Sequence, residues 1–222
     1  MKLFETLALE HVQPNTIYTP ENEICVYATI SNPEGLEQAD EVEYQKEWNA
    51  RFKKDDCKAR VRVITKKDAP SDTAHQFLTL KIKNEQQPHD NIESSQEYTI
   101  AVDEHFINAF ALIADEPIEK TRYIFFSKQV VVTYLVDGEE KTVTLENVKY
   151  EVDVYKNVPD MCKIEVEIDA IMDALASDEL KDKDIKLITK VSHLPFIPTD
   201  VFAKWSEGGK DKVDELWDKI KG

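Results

Sequence analysis

The chain has 222 residues, 41% of them hydrophobic and 32% charged, with 44 acidic side chains against 28 basic ones and a net charge of −16. A surplus of that sign excludes general binding to duplex DNA, because affinity for phosphate backbones comes from Lys and Arg. The five glycines stand at 35, 138, 208, 209 and 222, so neither the dinucleotide-binding G-x-G-x-x-G nor the P-loop G-x-x-x-x-G-K-[ST] can be written anywhere.

Residues 1–40 read as short strands and loops, with Pro14, Pro20 and Pro33 punctuating apolar pieces. The opening MKLFETLALEHV carries Glu5, Glu10 and His11 instead of a basic region followed by an apolar run. No stretch of eighteen apolar residues occurs, so the expectation is a protein neither exported nor membrane-bound. Cys25, Cys57 and Cys162 are too scattered for a disulfide framework or a zinc site and fit a reducing cytoplasm, the host's for a viral chain.

From residue 41 polar and apolar residues alternate, the period of strands with two unlike faces. The pattern covers residues 41–52, 57–65, 76–83, 97–102, 120–136, 141–155 and 163–168. Asp137-Gly138 marks a hairpin. Asp103 can cap a short helix whose Phe106, Phe110 and Ile113 repeat at helical spacing. After Asp169 the pattern turns helical, through Ile171 and Leu175, then Ile185, Ile188 and Val191, then Val213, Leu216, Trp217 and Ile220. The segment SHLPFIPTDVFAKW, broken by Pro195 and Pro198, reads as an irregular piece packing helices on the exterior. The five histidines form no metal-binding pair.

The strand faces carry the chemistry. Ala59, Val61 and Val63 oppose Arg60 and Arg62; Leu78, Leu80 and Ile82 oppose Lys81 and Lys83; Tyr150, Val152 and Val154 oppose Glu151 and Asp153; Ile164, Val166 and Ile168 oppose Glu165 and Glu167. Such alternation ordinarily means a sheet with one solvated face. Here, however, the charges are sorted by strand: Arg60/Arg62, Lys81/Lys83 and Lys120/Arg122 are basic pairs at i, i+2, whereas Glu41/Glu43 and Glu165/Glu167 are acidic. Two carboxylates so spaced project about 7 Å apart, and with a third from a neighbouring strand they can share a hard divalent cation. A face of this kind suits metal and phosphate together.

In this order Arg60-Val-Arg62, Leu78-Thr-Leu-Lys81, Lys120-Thr-Arg122, Glu151-Val-Asp153 and Glu165-Val-Glu167 resemble the CYTH superfamily, the triphosphate tunnel metalloenzymes. The resemblance implies an α+β fold: an antiparallel eight-stranded β-barrel with charged residues lining a tunnel, helices packed outside and a helical C-terminal segment. On that plan residues 1–40 supply strands and loops joining the barrel, 41–169 form the tunnel core and 170–222 are C-terminal helices. The family signature E-x-E-x-K is met by Glu41-Val-Glu43-Tyr-Gln45-Lys46, with Gln45 in the lysine's place and Lys46 on the opposite face. An alternative first strand, Glu21-Asn-Glu23-Ile-Cys25, also lacks the lysine.

The resemblance further implies that Arg60, Arg62, Lys81, Lys83, Lys120 and Arg122 hold phosphate oxygens. It implies that Glu41, Glu43, Asp153, Glu165 and Glu167 hold Mg²⁺ or Mn²⁺, and that Glu97 and Glu167 serve as catalytic carboxylates orienting water. The expected partner is a triphosphate-containing small molecule or an RNA 5′ end, without membrane or duplex DNA, and the protein acts as a monomer or homodimer. Three alternatives stay open: a class IV-type adenylyl cyclase, a tunnel that binds a phosphorylated ligand without turnover, and an interaction module with a solvated face.

Overall fold

The computed structural model describes residues 17–51, 57–70, 74–83, 92–167, 185–186, 201–202 and 209–221. Alternation builds eight long strands: β1 (Ile17–Thr29), β2 (Glu41–Arg51), β3 (Cys57–Lys66), β4 (His75–Lys83), β5 (Ile92–Ala101), β6 (Ile118–Val136), β7 (Glu139–Tyr155) and β8 (Val158–Glu167). Two short strands, β9 (Ile185–Lys186) and β10 (Val201–Phe202), and two helices, α1 (Glu104–Ala111) and α2 (Gly209–Lys221), accompany them. The class is α+β, with the sheet dominant.

All pairings are antiparallel, in the order β1-β5-β4-β3-β2-β6-β7-β8, and β8 also pairs with β1. The path of strands therefore returns to its start, but β1 divides its partners along its length. Residues 17–24 pair with β5 and residues 23–29 with β8, so only Glu23 and Ile24 serve both. Of the expected barrel the structure shows an eight-stranded antiparallel sheet, which hydrogen bonds do not close into a barrel. Pro20, which has no N–H to give, lies in the stretch of β1 paired with β5 alone. The sheet starts within the first 40 residues, since β1 precedes the signature-like Glu41-Val-Glu43 on β2.

Register keeps alternate residues on one face. Asp137 and Gly138, with φ of 52° and 83°, make the tight turn between β6 and β7, both positive as a type I′ hairpin turn requires. Helix α1 starts as the sequence predicts: the Asp103 carboxylate accepts a hydrogen bond from the Phe106 N–H at 2.9 Å. Its Ile107 and Phe110 bury against Ala59 and Val61 of β3, with Trp48, Leu78 and Leu80 alongside, on the apolar face of the sheet.

Helix α2 does not follow the expectation of a helix packed outside. Its Leu216 and Ile220 cluster with Cys25 and Tyr27 of β1, Ile118 of β6 and Tyr155 of β7. Those residues continue, at two-residue steps, the same face as Glu23, Lys120, Arg122 and Asp153, so α2 covers one end of the charged face. The reason lies in the strands, whose inner face turns apolar toward that end. Ile185 and Lys186 pair with Val136 and Leu135 of β6 instead of opening a helical turn. The expected helical positions Ile171, Leu175, Ile188 and Val191 lie outside the described residues.

Leu216 is 1% exposed at the centre of the α2 contact. Leu216→Ala is expected to lower unfolding stability by about 2–5 kcal/mol in denaturant titrations. A change within about 0.5 kcal/mol would contradict this packing.

Candidate functional site

Cross-strand register brings polar residues together on one face of all eight strands. Glu47 lies opposite Arg62, Arg60 opposite Thr79, and Lys81 opposite Glu97. Cys25 lies opposite Glu165, Lys163 opposite Asp153, Asp153 opposite Arg122, and Arg122 opposite Glu43. This face is not solvated. Asp153 is 1% exposed, Gln45 3%, Glu47 5% and Arg122 7%, so most of these charges act in a medium of low dielectric. A cavity of about 310 Å³ opens among Glu23, Glu43, Gln45, Arg60, Arg62, Glu97, Arg122, Lys149, Glu151 and Glu165, with Ile64 and Ile124.

One side of this interior is saturated. The Arg122 guanidinium forks onto Asp153, Nε to Oδ1 at 2.6 Å and Nη2 to Oδ2 at 2.7 Å. The same guanidinium donates to Glu165 Oε2 at 2.8 Å and to Glu151. Lys120 Nζ donates to Asp153 Oδ2 at 2.7 Å and sits 3.4 Å from Glu47 Oε2, while Lys163 donates to Glu165. Burial pushes these carboxyls toward the neutral form, but the cations outweigh it. Glu47 falls to about 2 through Lys120 and Arg60, and Asp153 and Glu165 are held well below the usual carboxylate range by Arg122, Lys120 and Lys163.

The β3 side differs. Arg60 Nη2 reaches Glu97 Oε1 only at 3.8 Å, and the buried Nε atoms of Arg60 and Arg62 have no hydrogen-bond partner among the described residues. Arg62 forms no ion pair within 4 Å among the described residues. Burial, together with Arg60 and Arg122, lowers it to about 10, outweighing the attraction of Glu47 and Glu97. Glu97 also lies 3.6 Å from Lys81 Nζ, and Lys81 donates to Glu23 at 3.1 Å, so two carboxylates aim this ammonium along the wall.

The structure therefore gathers Glu43, Arg60, Arg62, Glu97, Arg122 and Glu165 at the cavity, with Lys81, Lys120 and Asp153 immediately around it. Glu41 is bound to Lys66 at 2.5 Å in an exposed pair and does not line the cavity. Lys83 and Glu167 stand at ladder positions opposite Ser95 and Glu23, and their side chains lie outside the described residues. Lys46 faces away, 3.9 Å from Glu119 and over the Trp48 ring, so no bulge returns it to the inner face. Site residues beyond the predicted set are Glu23, Cys25, Glu47, Lys149, Glu151 and Lys163. Glu151 and Lys163 each lie two residues from a predicted one, Glu47 and Lys149 lie four away on the same faces, and Glu23 and Cys25 belong to the alternative first strand.

Glu23, Cys25 and Glu165 offer ligand atoms within 4.8 Å of one another and could hold a metal ion. The Cys25 thiol lies 3.9 Å from Glu23 Oε1 and 4.0 Å from Glu165 Oε1. The two carboxylates suit a hard divalent cation, and the buried thiol beside them adds a soft donor.

No family model and no curated protein matches the chain. Among solved structures it is similar to the PH1819 protein from Pyrococcus horikoshii OT3, at 18% identity and TM-score 0.41, over 75% of this chain and 93% of that one. It is similar to the hypothetical protein NE1496 at 16% identity and TM-score 0.36, over 76% and 90%. It is also similar to a chain of the Schizosaccharomyces pombe Mediator head module at 10% identity and TM-score 0.36, over 74% and 98%. Likenesses of this degree transfer neither an activity nor a partner. No helix among the described residues is long and apolar enough to cross a membrane.

The depressed carboxyls set the acid response. Glu47 titrates near 4.5 when unfolded and near 2 when folded, so its contribution is complete above pH 4.5 and lost as pH falls toward 2. Unfolding free energy is expected to fall across that window, and less steeply in Glu47→Gln, as read by denaturant titration at each pH. Equal slopes in the two proteins would contradict the pairing.

Proposed function

We propose that the buried charged face is the wall of a triphosphate-binding tunnel of the CYTH type, and that the protein hydrolyses a triphosphate there with Mg²⁺ or Mn²⁺. The observation that carries this reading is Arg62: a half-buried guanidinium in a cavity wall, beside Arg60, whose buried Nε has no hydrogen-bond partner and which forms no ion pair within 4 Å among the described residues. A buried guanidinium N–H left unpaired is costly, and phosphate oxygens are its natural complement. The saturated side supports the same reading, because Arg122 and Lys120 hold the carboxylates rigid and leave the β3 cations for the ligand.

Arg60 and Arg62 bind the phosphate oxygens by their guanidinium forks, and Lys81, aimed by Glu23 and Glu97, adds a point charge. Glu97 orients the attacking water next to these cations and takes its proton. The new oxygen–phosphorus bond forms at the terminal phosphorus as the bridging bond to the diphosphate breaks. A divalent ion bound by Glu23 and Glu165 would supply further neutralisation of the phosphate charge.

Gln45 favours a second reading, ligand capture without turnover. It occupies the place of the signature lysine and spends its amide on Glu43, at 2.8 Å, so one phosphate-directed ammonium is missing.

Phosphate release from inorganic triphosphate, ATP and 5′-triphosphorylated RNA with Mg²⁺ or Mn²⁺ tests hydrolysis. Release is expected from at least one of them and should fall by at least about 100-fold in the Glu165→Gln/Glu167→Gln protein. Pyrophosphate with a cyclic nucleotide would identify a cyclase. No turnover with saturable triphosphate binding would leave the capture reading.

A further inference from the structure

The apolar face of the sheet carries a second surface, which the charged interior does not use. Helix α1 buries Ile107 and Phe110 against β3, and its opposite side stays uncovered: Phe106 is 39% exposed, Leu112 86% and Ile113 74%. Three of the six large apolar side chains exposed among the described residues thus stand at one helix. Phe106, Ala109 and Ile113 follow one another at three- and four-residue steps, so they share one side. The helical path continues past Ala111, because the N–H groups of Ile113 and Ala114 both donate to the Phe110 carbonyl. With Leu112 these residues make a stripe about 10 Å long. Single exposed apolar side chains are ordinary, whereas a contiguous patch marks an interaction site.

The rim of the stripe selects its occupant. Glu104 stands exposed at one end, and Asp115 and Glu116 stand exposed at the other. Residues 84–119 hold nine Asp or Glu and no Lys or Arg. Lys46, which packs over Trp48 of the same cluster, is 3.9 Å from Glu119. A second copy of this chain, joined through the same face by a two-fold axis, would set these carboxylates against their own kind. An anionic membrane surface or a nucleic acid is repelled for the same reason. The complement is a segment that presents apolar side chains between lysines or arginines. A convex stripe of about two turns is matched by another helix laid across it.

We propose that the exposed side of α1 docks a cationic amphipathic helix of a partner protein. Its apolar residues cover Phe106, Leu112 and Ile113, and its Lys or Arg side chains meet Glu104, Asp115 and Glu116. This face lies across the sheet from the cavity, so the docking does not depend on the phosphate reading.

Fluorescence anisotropy with a labelled helical peptide of about 14 residues, Leu on one face and Lys elsewhere, tests it. A peptide of the same composition in scrambled order carries the same charge without the stripe, and a Leu/Glu peptide carries the stripe with the wrong sign. Saturable binding of the Leu/Lys peptide is expected, about tenfold or more weaker for the scrambled peptide and weaker still for Leu/Glu. Affinity for the Leu/Lys peptide should fall about tenfold or more in Leu112→Ser/Ile113→Ser, and about threefold or more in Asp115→Asn/Glu116→Gln. Equal affinity for the patterned and scrambled peptides, unchanged affinity in Leu112→Ser/Ile113→Ser, or no binding at all overturns the proposal. A wild-type dimer that Leu112→Ser/Ile113→Ser dissociates would give the face to a second copy and overturn it too. Should thermal melts show the serine variant altered, Asp115→Asn/Glu116→Gln decides alone.

Discussion

The Asp153 carboxylate, gripped by Arg122 through a two-point fork and by Lys120, is the interaction on which the interior depends. Three charges at this depth are tolerable only together, because desolvation of each is costly and the loss of any one strands the others. The group also ties strands to one another. Arg122 on β6 reaches carboxylates of β7 and β8, and Lys120 on β6 reaches carboxylates of β7 and β2. Four neighbouring strands thus share one polar knot beneath the cavity, and its carboxylates and cations cannot swing freely.

Against this rigid half stands a half built to be completed. The β3 arginines, the Gln45 carbonyl, Glu47 Oε2 and the Ser95 hydroxyl carry buried polar atoms without hydrogen-bond partners among the described residues, and all belong to strands β2, β3 and β5. Buried groups are ordinarily satisfied, and three of these exceptions, on Gln45, Arg60 and Arg62, belong to residues that line the cavity, which is what the proposed ligand site requires. Helix α2 closes the apolar end of the same face, which keeps water from relieving these groups from that direction.

Much of this was legible in the sequence because strand periodicity is strict. Once Arg60 and Arg62 alternate with Ala59, Val61 and Val63, the charged face follows, and sorting of sign by strand argues that the face is enclosed. Three things were not legible. The first strand hides among prolines, and Pro20 is tolerated where β1 has one neighbour among the described residues. The pairing of Arg122 with Asp153 depends on register between strands distant in sequence. The placement of α2 depends on Cys25, Tyr27 and Tyr155, apolar residues in step with charged ones, whose role emerges only when their strands are neighbours.

The most direct measurement is the calorimetric affinity for inorganic triphosphate of the wild type and of Arg62→Met, a substitution that removes the half-buried guanidinium without breaking any ion pair within 4 Å among the described residues. The account predicts saturable single-site binding to the wild type and a loss of about 10- to 100-fold in the variant, the worth of one charge-assisted contact. Equal affinities in the two proteins would contradict it.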